Sequence, residues 1–375
     1  MTKQKFGIKL SCFFFGMALL LLFLDGKVLS NWGRNYPEMS YAGEQISYNN
    51  IDPQRHICSL SDTTQDWVQR APELVKQIHP TPLGTPSEEQ PFIFFHVRKA
   101  GGSAIRSYLL RAADKLRLKH FIVCFDIGCQ TYHLPNNATY AVYAAHFYYA
   151  NALNRLQYAT PKLDRPKIVN MNRKPFDCIV SLRPTISRVT SCWNYRYSQE
   201  LKATPPIHNR TAEELEEELP TFYSLYREGC NNENIRVFGN VQHEQRVNTW
   251  FVNDTTSSLE ELCMAKSELD TVASRLSQCI ITLNGRCEDN RAVVEHYIPW
   301  FAPYFACDNR DNFSDKIGIV HKAPLQSGAE EVILRQNQLD EYIYQFGVAF
   351  FEAQLKVAKE AIAVTVGSNY TAIQN

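Results

Sequence analysis

The stretch that most limits what this chain can become runs from Pro91 to Arg117, PFIFFHVRKAGGSAIRSYLLRAADKLR. Phe92 to Val97 is a dense apolar run, too short for a stable helix and suited to a buried strand. Arg98-Lys99-Ala100-Gly101-Gly102-Ser103 follows, basic and then glycine-rich. From Ala104 the period changes. Ile105, Tyr108, Leu109, Ala112 and Leu116 share one helical face, with Arg106, Arg111, Asp114 and Lys115 directed elsewhere. Strand, glycine turn and helix in that order aim free backbone N–H groups and the positive helix end at an anion. Gly101 and Gly102 let a phosphate approach the backbone, and Lys99 adds a mobile charge. The competing reading is an ordinary strand–turn–helix whose basic turn is simply solvated.

The N-terminus bounds the compartment. Lys3, Lys5 and Lys9 come first, Leu10 to Leu24 carries no charge, and Asp25 closes the run. From Phe6 to Leu24 the segment has 19 residues, enough to cross a bilayer, and the leading lysines keep the short tail cytosolic. A cleaved signal peptide is the rival, but no A-x-A site stands near Ser30. The expected organisation is a cytosolic tail over 1–5, a transmembrane signal anchor over 6–24, a polar stem over 25–90, a lumenal domain over 91–362 and a tail over 363–375. The stem closes on HPTPLGTPSEEQP and has room for a short helix around Asp66 to Ile78.

A lumenal body agrees with sequons at Asn137, Asn209, Asn253, Asn312 and Asn369. It also agrees with the cysteines: of 11, all but Cys12 lie beyond the anchor, and an even number suits disulfides. Cys124 with Cys129, and Cys279 with Cys287, are close enough to be local pairs, though spacing does not fix connectivity. The formal net charge is zero, so no global field gathers a polyanion such as nucleic acid, and an anionic substrate needs a local basic patch.

Thr139 to Ala145 is a further strand-like run, ended by His146. Ligands of open α/β sheets bind at the carboxyl ends of strands, and a histidine there suits general-base work. The alternative is a structural histidine beside Phe147, Tyr148 and Tyr149. Lys167 to Asn172 reads as another strand, ending at Arg173, and Ser277 to Leu283 as one more. Glu213 to Glu218 sits in an expected helix as a solvated acidic face. Gly229 to Asn234 forms a polar loop suited to lining an acceptor cleft, and Glu331 to Leu355 carries a helical apolar face.

The order H-x-x-K-x-G-G-S after a strand resembles the 5'-phosphosulfate loop of sulfotransferases that use PAPS (3'-phosphoadenosine 5'-phosphosulfate). It is not the triphosphatase loop, because its lysine precedes the glycines. The region after Lys167 resembles the 3'-phosphate element of the same enzymes, R-x-P-x-x-R-x-x-S, in which the arginine and the serine eight positions on hold the phosphate. Two overlapping copies are present: Arg173, Pro175 and Ser181, with Cys178 in place of the middle arginine, and Arg183, Arg188 and Ser191, without a strand read before them. Joining Arg173-Lys174-Pro175 to Ile186–Ser191 gives one motif. Phe176 to Thr185 then reads as a ten-residue insertion, and Pro184 would break a helix begun at Pro175. Arg173 pairs with Ser191 if the insertion loops out and with Ser181 if it does not.

Taken together, the chain resembles Golgi membrane-bound carbohydrate sulfotransferases, nearest in layout to the uronosyl 2-O-sulfotransferase type, over about residues 91–200 and the last helix. The resemblance implies an α/β, P-loop-like sulfotransferase fold, with a central mainly parallel sheet flanked by helices behind one transmembrane helix and a stem. It implies sulfuryl transfer from PAPS to a glycan hydroxyl, glycosaminoglycan-like, with no metal. His146 would be the general base. Lys99 would stabilise the leaving phosphate, helped by N–H groups of Gly101, Gly102 and Ser103 in a loop that includes Arg98 and Ala100. The implied location is the Golgi membrane, single-pass, with the catalytic domain lumenal. Rival readings are a metal-independent Golgi glycosyltransferase, a tyrosylprotein sulfotransferase, and an inactive lumenal relative that only binds nucleotide or glycan.

Overall fold

Five short runs pair side by side: Phe92–Phe95 (β1), His120–Ile122 (β2), Val142–Ala145 (β3), Asp177–Leu182 (β4) and Ile280–Leu283 (β5). They form a five-stranded sheet in the order β2-β3-β1-β4-β5, and every pairing is parallel. β1, β3 and β5 are buried along their whole length, and β4 is buried from Cys178 onward. Unbroken apolar strands are what a parallel sheet covered on both faces requires. The computed structural model describes residues 55–123, 133–135, 138–157, 175–200, 207–225, 231–240, 251–252, 254, 256–307 and 324–373. All of them belong to one unit, Asp52–Asn375.

The described helices are Leu60–Ile78 (α1), Gly102–Lys115 (α2), Tyr149–Gln157 (α3), Thr185–Glu200 (α4), Ala212–Leu225 (α5), Glu233–Phe238 (α6), Leu259–Leu276 (α7), Cys287–Tyr297 (α8), Ala329–Gln336 (α9) and Gln338–Ile373 (α10). α10 packs on α1, α7, α8 and β5, while α2 packs on β2 and β3. A second apolar cluster lies outside the sheet, where Val189 and Trp193 of α4 meet Leu215, Leu219 and Phe222 of α5 and Ile333 of α9. The apolar face expected over Glu331 to Leu355 is divided between α9 and α10. At the break Asn337 is fully buried, and its Nδ2 donates to Tyr223 Oη (2.7 Å) and to the Ile333 carbonyl (2.8 Å). α10 runs to Ile373, well past 362.

The largest correction concerns Phe176 to Thr185, expected as an insertion. It contains β4, an inner strand of the sheet. Phe92 is paired with Asp177 on one side and Ile179 with Ile280 on the other, and Cys178 is bonded to Cys279. Pro184 breaks nothing, because the helix begins after it, at Thr185. The strand expected over 167–172 and Arg173 itself lie outside the described residues.

Further disulfides join Cys58 to Cys263 and Cys287 to Cys307, so Cys279 and Cys287 are not partners of one another. Cys124 and Cys129 lie outside the described residues, as does the segment 6–24. Among the described residues no helix is long and apolar enough to cross a membrane. The short helix expected near Asp66 to Ile78 begins earlier, at Leu60, and is folded onto the body within the range read as stem.

The strand order locates a crevice. The chain leaves β1 towards β2, on one side of the sheet, and leaves β4 towards β5, on the other. Right-handed crossovers then put the two connections on opposite faces, and the carboxyl ends of β1 and β4 open between them.

Candidate functional site

The chain leaves β1 with His96, whose N–H still donates to the Ala145 carbonyl of β3 (3.1 Å). It then turns through two left-handed residues, Lys99 (φ 62°) and Gly101 (φ 85°). A lysine in that region is strained, and such strain gathers at sites where the backbone must be aimed. α2 starts at Gly102 with no side chain capping its first N–H groups. Both glycines are forced by close approach as well. A Cβ on Gly101 would lie 2.6 Å from Asn284 Nδ2, and one on Gly102 would lie 2.0 Å from His96 Cδ2. The loop therefore presents uncapped N–H groups at the positive end of a helix, which suits an anion.

β4 supports this loop from the side. Ser181 is buried within the strand, and its Oγ donates to the Ala100 carbonyl (2.7 Å). That bond makes Ser181 a brace for the loop backbone. Arg183, first after the strand, donates from Nη1 to the Lys99 carbonyl (3.1 Å) and from Nε to Ser187 Oγ (2.9 Å). Burial, with Arg188 adding, pushes the Arg183 pKa down to about 10, so it stays cationic at neutral pH. Lys99 holds its Nζ 4.0 Å above the Tyr195 ring of α4, a cation–π contact. Ser103 is exposed, Ala100 is buried, and Ser191 is buried on α4, eight residues after Arg183.

His146 ends β3 beside the loop. Its Nδ1 lies 2.7 Å from the His96 carbonyl. A carbonyl only accepts, so Nδ1 carries the proton, and Nε2 is the basic nitrogen of the neutral ring. The His146 ring stacks on His96, centroids 4.2 Å apart. Burial first, then His146, Arg106, Arg98 and Lys99, hold the His96 pKa well below the usual histidine range, so His96 is neutral.

Three expectations about polarity are corrected. Arg98 turns inward and pairs with Glu233 at 3.6 Å, and both are buried. Burial raises the Glu233 pKa even against the pull of Arg98, Arg236 and Arg188. Asn231 to Asn234, expected at the lip of a cleft, are buried at the start of α6. There the Glu233 and Asn234 N–H groups donate to Asp340 of α10, which also holds the Arg188 guanidinium. Gly229 and Cys230 lie outside the described residues. Arg106, expected on an outer face, is buried and donates to the Val123 carbonyl (2.9 Å).

The structure thus brings together Lys99, Ala100, Gly101, Gly102, Ser181 and Arg183, with His146 alongside. Asn284, exposed at the end of β5 and in reach of Gly101, is a further polar group at the site, and its signal in the sequence is its place directly after a run read as a strand. A cleft of about 470 Å³ lies elsewhere, at the amino ends of the strands, lined by Ile78, His79, Gln90 and Asp177, so the site is located by its donors and not by cavity size. Among the described residues no three His, Cys, Asp or Glu side chains converge as metal ligands. Neither a scan against protein-family models nor a search of curated proteins finds a match for this chain.

Proposed function

We propose that this protein transfers a sulfuryl group from PAPS to a hydroxyl of a glycan acceptor, as an anchored lumenal enzyme of the Golgi with a P-loop-like sulfotransferase fold. One observation carries the reading: at adjacent carboxyl ends of a parallel sheet, an uncapped glycine–helix turn bearing Lys99 is bonded to Arg183, next to an imidazole whose Nε2 is the basic nitrogen. The disulfides Cys58–Cys263, Cys178–Cys279 and Cys287–Cys307 support an oxidising compartment.

The donor set fits a doubly phosphorylated nucleotide. Backbone N–H groups of Gly101, Gly102 and Ser103 receive the 5' side, and Lys99 supplies charge there after leaving Tyr195. Arg183 and Ser191, in the spacing of the 3'-phosphate element and directly behind a strand, receive the 3' side. His146 Nε2 takes the proton from the acceptor hydroxyl as its oxygen bonds to sulfur. The bond from sulfur to the 5'-phosphate oxygen breaks, and its electron pair stays on a phosphate that Lys99 and the α2 N–H groups stabilise. Such a displacement depends on position and charge more than on covalent help.

Labelled PAPS incubated with a panel of desulfated glycosaminoglycans tests this. At least one glycan should become labelled. Lys99→Ala should abolish transfer in a protein that still melts cooperatively, and His146→Ala should lower turnover at least about a hundredfold while leaving PAP affinity within a few-fold. Full transfer by Lys99→Ala would reject the assignment. PAP binding without transfer to any acceptor would identify a nucleotide-binding relative that has lost catalysis.

A further inference from the structure

His96 is built into the floor of the site and has no part in the chemistry above. Its ring is 6% exposed, stacked between Phe94 and His146. The Cδ2–Nε2 edge faces the start of α2, where a Cβ on Gly102 would lie 2.4 Å from Nε2. The other nitrogen, Nδ1, is buried and makes no hydrogen bond. Every titratable or charged group that acts on the ring is cationic or can become so: His146 at the end of β3, Arg106 on α2, and Arg98 and Lys99 in the loop. A histidine so placed stays neutral while the site is empty of anions. An anion seated on the α2 N-terminus reverses the local field beside the ring edge and removes the reason for neutrality.

We propose that His96 is a proton-coupled anion ligand: it takes up a solvent proton when the 5' side of the nucleotide arrives at α2, so this site binds nucleotide more tightly in acid. The inference rests on the reading of the site as a PAPS site. Lys99 offers charge at any physiological pH, whereas His96 offers it only with the ligand in place. The direction follows from linkage. The bound form holds more protons than the free form, so affinity rises as pH falls through the bound-state pKa of His96 and is lost as pH rises through it.

Calorimetric titration of the full chain with PAP, the spent nucleotide, in buffers of different ionisation enthalpy between pH 6 and 8 counts the protons taken up. His96→Gln run alongside cancels the protons that PAP's own phosphates exchange. The wild type should take up about 0.5–1 proton more than His96→Gln, with an affinity that falls by up to about tenfold more per pH unit. His146→Gln should keep the extra uptake, which separates the two stacked rings. Equal uptake by wild type and His96→Gln overturns the inference and leaves the donor site standing, while absence of PAP binding to the wild type overturns both. If His96→Gln does not melt cooperatively, the imidazole ¹⁵N shifts of His96 in the wild type decide. A change to the imidazolium pattern on adding PAP at pH 6.5 supports the inference, and an unchanged neutral ring overturns it.

Discussion

At the scale of single residues, the site is held by close approach. Gly102 leaves no room for a methyl group, since its Cβ would overlap the His96 ring. Gly102→Ala should therefore cost about 1–3 kcal/mol, the usual range for an overpacked interior, and weaken PAP binding by moving the start of α2. If the clash is the cause, adding His96→Ala should restore part of the lost melting temperature, because the two sites share one volume. Strictly additive losses in the double variant would show that the strain lies elsewhere. Much of this was legible in the sequence. Two glycines after a short apolar run announce a turn of restricted shape, and a histidine ending another run announces a strand end. The inward turn of Arg98 and Arg106 was not. Helical spacing says which residues share a face, but Arg106 is covered because the chain leaving β2 crosses it at Val123, a contact between distant positions.

At the scale of elements, β4 carries the clearest lesson. The run Asp177-Cys178-Ile179-Val180-Ser181-Leu182 has an apolar, β-branched centre that suits a buried strand, yet matching the phosphate element to Arg173 cast it as surplus. Local pattern and motif spacing competed there, and burial on both faces decided for the strand. The consequence reaches the motif as well, since a strand does precede the copy that begins at Arg183. Removal of residues 176–185 should abolish folding rather than repair a damaged enzyme. It takes out an inner strand paired on both sides, the Cys178–Cys279 link, and the buried side chains of Phe176, Ile179, Val180 and Leu182. At about 1.5–3 kcal/mol for each such side chain the loss alone approaches the whole stability of an ordinary domain, about 5–15 kcal/mol. Produced without the 6–24 segment and directed to the secretory route, the shortened protein should show no cooperative melt and no secretion. A secreted, active product would mean that the sheet closes without β4.

At the scale of the whole molecule, the folded body begins before the glycine loop and before residue 91. α1 follows the bonded Cys58 and starts where the Leu60 and Ser61 N–H groups donate to Asp254 (2.8 and 3.1 Å). Leu60, Ala71 and Val75 are buried, Trp67 Nε1 donates to Asp270 of α7 (2.8 Å), and its ring meets Phe346 of α10 edge-on. The polar composition of 25–90 concealed this by averaging a stem-like stretch with an amphipathic helix that Pro72 interrupts in sequence but not in space. A chain beginning at residue 55 should therefore melt cooperatively, and one beginning at residue 91 should be far less stable. The disulfide from Cys58 closes a span of 205 residues, for which chain entropy assigns about 5 kcal/mol, and the apolar contacts of α1 come on top. Thermal melts of both chains, with Cys58→Ala in the longer one, separate the disulfide from the packing. Equal melting temperatures for the 55-start and 91-start chains would show α1 to be an appendage. The distinction governs every activity test, because a chain cut at 91 would lose transfer through exposure of α7 and α10, with Lys99, Arg183 and His146 all present.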